Sequence, residues 1–136
     1  MLKSLTISNL AVIAESKIEF ESGLNILTGE TGAGKSIIID AINLVLGSRA
    51  SKDMIRSGEN KAKIEALFYV DKKVAEAARE TGIDCDEELL IVREISHDGK
   101  SVIRLNGSLA TLNMLKELAG NLVNIHGQHD NQALLN

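Results

Sequence analysis

Gly29-Glu30-Thr31-Gly32-Ala33-Gly34-Lys35-Ser36 is the most informative stretch of this chain. The stretch satisfies G-x-x-x-x-G-K-[ST], the spacing of a phosphate-binding loop. Its glycines open backbone conformations closed to other residues, so successive N–H groups can converge on one anion. A helix starting near Lys35 adds the positive end of its dipole. Lys35 supplies a point charge for the β- and γ-phosphates, and Ser36 a hydroxyl for Mg²⁺. Glu30 is an acid inside an anion site, so its side chain must point outward. Both flanks meet the context that such a loop requires. Residues 24–28, Leu-Asn-Ile-Leu-Thr, read as a strand leading in. Residues 35–46 read as a helix leading out, with Gly47 just past the last apolar position. That helix is apolar almost all round, from Ile37 through Leu46, and therefore belongs inside a domain.

Upstream of this loop, residues 5–7 and 12–20 read as two short strands joined near Ser8-Asn9-Leu10. Ile18 and Phe20 alternate with Glu19 and Glu21, the period of a half-buried strand. Residues 48–61 are polar, contain Gly58 and read as irregular. A strand over 62–70 is followed by an alanine-rich amphipathic helix over 72–81, stopped by Gly82. Strands over 88–95 and 101–105 flank His97-Asp98-Gly99-Lys100, where Asp-Gly is a strong hairpin signal. Leu112, Leu115 and Leu118 give residues 111–119 a helical face, with Gly120 as the stop. Leu122-Val123-Asn124-Ile125 reads as a last short strand.

Composition narrows the function. The chain has 136 residues, a length that points to one domain, and 44% hydrophobic with 25% charged residues, the mix of a globular protein. A formal net charge of −4 excludes a generally basic coat for nucleic acid. Phe20, Phe68 and Tyr69 are the whole aromatic complement, too few for base-stacking platforms. Cys85 is a single cysteine, which permits no internal disulfide and fits a reducing cytoplasm. The N-terminus alternates instead of running apolar, and no segment is long enough to span a bilayer. A soluble cytoplasmic protein with no membrane partner is expected.

Hydrolysis needs more than a phosphate loop: a second carboxylate for Mg²⁺ and a group that orients water. Leu89-Leu90-Ile91-Val92 ends in Arg93-Glu94, with no aspartate in place. No Leu-Ser-Gly-Gly signature occurs, and Leu105-Asn106-Gly107-Ser108 reads as an Asn-Gly turn. His126-Gly127-Gln128-His129-Asp130 follows the last expected strand. A metal site on His126, His129 and Asp130 lacks a further ligand set. Gln128, just past a strand, could instead reach Mg²⁺ and the attacking water. A plain polar turn is the alternative. Arg49 and Arg56, in the loop after the apolar helix, could reach a γ-phosphate or a neighbouring subunit, or be solvated charges. Lys3, Lys17, Lys61 and Lys63 could line a face, but scattered lysines on an acidic domain are usually solvated surface.

Taken together, the phosphate loop and the Ile-Ile-Ile-Asp-Ala-Ile-Asn-Leu-Val-Leu-Gly that follows it resemble the N-terminal head segment of SMC-like ATPases. The closing Val-Asn-Ile-His-Gly-Gln-His-Asp-Asn-Gln-Ala-Leu-Leu narrows the resemblance to a bacterial DNA-repair branch of that family. Ser-Arg-Ala, Ile-Arg-Ser-Gly and Ile-Arg-Leu-Asn-Gly agree, and the resemblance runs over essentially all of the chain. It implies an α/β P-loop NTPase, an ABC-type ATPase half-head with a mixed sheet plus an N-terminal antiparallel sheet. It implies ATP and Mg²⁺ held between two heads. Carried over, Gly29, Glu30, Thr31, Gly32, Ala33, Gly34, Lys35 and Ser36 form the Walker A loop. Gln128 is the Q-loop glutamine, sharing Mg²⁺ with Ser36, and Arg56 is the arginine of the equivalent SMC loop. Lys35 and Gln128 would be catalytic. The family's coiled coil and C-terminal half-head, with signature motif, Walker B and catalytic glutamate, are not among these residues. Residues 1–136 are thus expected to be the N-terminal segment of an ATPase head. The partners implied are the C-terminal half-head of the same protein, a second head in a homodimer, and DNA. The implied activity is ATP-dependent head engagement in recombinational repair of double-strand breaks, in the cytoplasm at the nucleoid. Two other readings stand beside it: a nucleotide-binding interaction module without turnover, and a stand-alone P-loop kinase or NTPase.

Overall fold

In the computed structural model, residues 1–20 and 32–125 are described, with side chains over 1–20 and 36–122. Strand β1 (Leu2–Leu10) turns back as β2 (Ile13–Glu19). Helix α1 (Gly32–Val45) leads through a single 3₁₀ turn (Lys52–Met54) into β3 (Lys61–Tyr69) and α2 (Lys72–Glu80). Then come β4 (Glu88–Ser96), β5 (Ser101–Leu105), β6 (Ser108–Ala110) and α3 (Leu112–Ile125). The six strands form one sheet in the order β2-β1-β3-β4-β5-β6. Every pairing in it is antiparallel. The strand expected over 24–28, the one that would make the sheet mixed, lies outside the described residues.

Period-2 alternation explains which face is buried. On β3, Ala62, Ile64, Ala66 and Phe68 are fully buried, while Lys61, Lys63 and Tyr69 face out. On β1 the inward set is Leu2, Leu5, Ile7 and Leu10, with a register shift between Leu2 and Ser4 that keeps both Leu2 and Leu5 inside. Helix α1 lies on that face against β1, β3 and β4, and buries Ile37, Ile38, Ala41, Ile42, Leu44 and Val45. Its near-continuous apolar surface fits a helix covered on several sides. Asp71 caps α2, its Oδ1 accepting from the Val74 amide at 3.0 Å.

Two expectations are corrected. Residues 122–125 are not a strand: α3 runs through Gly120 to Ile125. Leu115, Leu118 and Leu122 fall at helical spacing on one stripe and are at most 2% exposed. Burial of that stripe outweighs the glycine, whose cost in a helix is only about 1 kcal/mol. The first two strands also do not part at 8–10. β1 continues to Leu10, and the reversal falls at Ala11 and Val12, with Asn9 (φ 55°) and Ala11 (φ 52°) left-handed.

Candidate functional site around helix α1

The phosphate-loop motif runs directly into α1. The helix begins at Gly32, three residues before the expected start, so Gly32, Ala33, Gly34 and Lys35 are its first turn. The first four N–H groups of any α-helix lack intrahelical partners. Here they belong to the motif itself, and the first turn carries no acid to compete with an anion. Fourteen residues of aligned peptide dipoles stand behind them. Ser36 follows on the same helix and is exposed. Gly29, Glu30 and Thr31 lie outside the described residues, as do Gln128 and the alternative metal set His126, His129 and Asp130. Among the described residues, no group of three or more His, Cys, Asp or Glu could hold a metal ion.

The far end of α1 is locked. Gly47 takes φ 106°, its amide donates to Leu44 O at 3.3 Å, and the Ser48 amide donates to Asn43 O at 3.0 Å. This is the paired 5→2 and 6→1 closure of a helix on a left-handed glycine. Arg93 completes it from the sheet. Its Nη1 donates to Leu44 O at 2.7 Å and to Ser48 O, and its Nε donates to Ser101 Oγ at 3.2 Å. Burial pushes the guanidinium pKa down. The residue is hidden in the sequence, where the apolar run over 89–92 breaks at Arg93. The signal is Leu89, Ile91, Arg93 and Ile95 at period 2, all buried.

Beyond α1, Arg49 is exposed and Arg56 partly buried. The backbone of Arg56 is clamped to the β1–β2 turn. The Arg56 amide donates to Asn9 O at 2.8 Å, the Ala11 amide donates to Met54 O at 2.7 Å, and Leu10 bridges Ile55. Asn9 Nδ2 reaches Glu59 Oε1 at 3.4 Å, and the His97 amide holds Asn60 O at 2.8 Å. The two left-handed residues, Asn9 and Ala11, flank this clamp. Arg56, Lys52, Ser57 and His97 share the lining of a shallow depression with Asp53 and Glu59. The structure therefore brings Lys35 and Ser36 together on α1, and fixes Arg56 by its own backbone on a separate loop. Of the scattered lysines, Lys17, Lys61 and Lys63 pair with Glu19, Glu94 and Glu65 on the exposed side of the sheet. Lys3 pairs with Glu88 and lies over the Tyr69 ring. No helix among the described residues is long and apolar enough to cross a membrane.

Comparison with known proteins agrees with this architecture. The AAA domain family model matches residues 4–132. The DNA repair protein RecN of Bacillus subtilis (strain 168) is 51% identical over 99% of this chain, and that of Vibrio cholerae serotype O1 is 40% identical over 99%. The chain spans about a quarter of the length of these curated relatives, 24% and 25%. Among solved structures, one from work on ATP-driven dimerization and DNA-stimulated activation of SMC ATPases superposes with a TM-score of 0.75 at 25% identity. That match covers 95% of this chain and 84% of the other. The SMC head domain from Thermotoga maritima gives a TM-score of 0.66 at 28% identity, over 85% of this chain and 41% of the other. The chain belongs to the AAA domain family, with the fold of an SMC-type ATPase head and RecN sequences as relatives along nearly its whole length.

Proposed function

We propose that this chain is the ATP-binding segment of an ATPase head in a DNA repair protein of the RecN kind. The observation that carries the reading is the first turn of α1, built from Gly32 to Lys35 of the phosphate-loop motif and free of acids. The backbone amides of Gly29 to Ser36 hold the β- and γ-phosphates, and Lys35 adds a point charge between them. Ser36 and Gln128 would hold Mg²⁺, which supplies charge neutralisation along the triphosphate. Gln128 also orients the attacking water. Arg56, its backbone fixed by the β1–β2 turn, offers a guanidinium to the γ-phosphate or to a facing head.

ATP then acts as glue between two heads. The C-terminal half-head of the same protein completes the site, a second head faces it in a homodimer, and DNA is held by the assembly at the nucleoid. Binding of ATP favours the joined state because only that state makes contacts to it from both sides. Hydrolysis removes those contacts and the heads part.

Titration with Mg-ATP and measurement of turnover in the protein at its full natural length test this reading. The expected result is ATP binding, ATP-dependent association of heads, and slow hydrolysis. Lys35→Ala removes binding, and Gln128→Ala keeps binding but loses turnover. Robust phosphoryl transfer to a small acceptor would instead identify a stand-alone kinase. Binding with no turnover at full length would leave a nucleotide-binding interaction module.

A further inference from the structure

Arg93 is 2% exposed and sits on the core face of β4, between Ile91 and Ile95. An isolated buried cation is costly unless it is paired or fully hydrogen-bonded. No carboxylate forms an ion pair with it among the described residues. Its partners are oxygens at the C-terminal end of α1: Leu44 O inside the last turn and Ser48 O just past the Gly47 reversal. The same guanidinium reaches Ser101 Oγ at the start of β5. The negative end of the helix dipole stands in for a counter-ion. Buried charged groups are often replaceable by apolar side chains of similar volume without loss of stability. What the guanidinium adds is direction: its donors fix α1 against two neighbouring strands at one spot.

We propose that Arg93 is a positioning residue for nucleotide binding. It acts through α1, tying the helix's C-terminal end to β4 and β5 so that the first-turn amides stand where a triphosphate needs them. The inference rests on the reading of residues 29–36 as a phosphate loop. A 14-residue helix is a rod about 21 Å long. Where its far end is pinned decides where its near end lies, and a binding site is lost by displacements well under 1 Å. Gly47 contributes to the same anchor, because its left-handed turn presents Ser48 O beside Leu44 O to a single nitrogen.

The test uses the full-length protein, titrated with Mg²⁺ and a non-hydrolysable ATP analogue well below its melting temperature. Arg93→Met is compared with Arg93→Lys, and with Val74→Ala, a buried change on a different helix, α2, that lowers stability without touching the Arg93 anchor. Hydrogen exchange of the α1 amides is followed without nucleotide. Arg93→Met should weaken analogue binding about tenfold, the size of loss seen when a supporting partner behind a metal ligand is removed. It should also speed exchange along α1. Arg93→Lys keeps the charge but cannot bridge two carbonyls and a hydroxyl, so its loss should be about threefold, worth roughly one net hydrogen bond. Val74→Ala should leave affinity at the wild-type value. If Arg93→Met does not fold, Arg93→Lys decides. Wild-type affinity with wild-type α1 exchange in a folded Arg93 variant would overturn the proposal, as would an equal loss of affinity in Val74→Ala. Failure of the phosphate-loop reading looks different: the unaltered protein would not bind, or would bind regardless of Lys35→Ala.

Discussion

Single side chains close turns of the sheet, and Asn106 is one that makes three hydrogen bonds while doing so. With Asn106 at φ 50° and Gly107 at φ 87°, the pair forms the left-handed two-residue turn between β5 and β6 that Asn-Gly favours. The side chain also accepts from the Leu90 amide at 2.7 Å and donates to Asp84 O at 2.8 Å and Glu88 O at 3.1 Å. Asn106→Ala loses all three bonds and places alanine in a left-handed conformation, so urea unfolding should show a loss of about 2–4 kcal/mol. Cys85 tests burial. Its thiol is 2% exposed and contacts Glu88 O at 3.5 Å, and burial raises its pKa above the ordinary 9.0. The folded state therefore keeps a proton that the unfolded state gives up first. This contribution is present below pH 9.0 and is lost as the pH rises through the higher folded value. Alkylation of Cys85 at pH 8 should be slow in the folded protein and fast in urea, and Cys85→Ala should flatten the alkaline fall in stability. The Asn-Gly turn was legible in the sequence because its backbone demand is local. Arg93 was not, because what holds it inward are carbonyls 49 and 45 residues away.

Elements show the same division between local and distant causes. The β4–β5 hairpin announces itself through His97-Asp98-Gly99-Lys100, and the Ser96 amide closes it on Lys100 O at 2.8 Å. The apolar helix after the phosphate loop was legible from its continuous hydrophobic run. The end of α3 was not. Four apolar-rich residues after a glycine fit a strand as well as a helix turn, and only packing of Leu122 in line with Leu115 and Leu118 decides for the helix. Just past the end of α1, Gly47 lies against Lys116 of α3. A Cβ there would come within 2.7 Å of Lys116 Cγ, on a backbone already at φ 106°. The left-handed backbone alone costs a non-glycine residue about 1–2 kcal/mol, and Lys116 must also move aside. Gly47→Ala should lower thermal stability by at least that amount, measured by calorimetry. Relief of the steric part by Lys116→Ala in the same chain would locate the remainder in the backbone.

Across the whole molecule, surface charge and nucleotide act on stability very differently. The exposed ion pairs Lys61–Glu94, Lys63–Glu65 and Lys17–Glu19 span 3.3 to 3.8 Å on the outer side of the sheet. Exposed pairs of this kind contribute only about 0–1 kcal/mol, so salt should change unfolding little. The candidate site could be read as a motif because Gly29 to Ser36 is one contiguous stretch. The sequence was silent on how α1 is held, since that anchor is assembled from β4, β5 and the turn at Gly47. On the proposed reading, nucleotide held at the first turn of α1 should be the stronger lever. A ligand that binds only the folded state stabilises it by mass action, by about 2.7 kcal/mol at one hundred times its dissociation constant. Mg-ATP at that level should therefore raise the melting temperature of the protein, with the rise growing as the logarithm of concentration. Lys35→Ala should show no rise at the same concentration, because the charge proposed to hold the phosphates is gone. An ATP-dependent rise that persists unchanged in Lys35→Ala would place the nucleotide away from the first turn of α1.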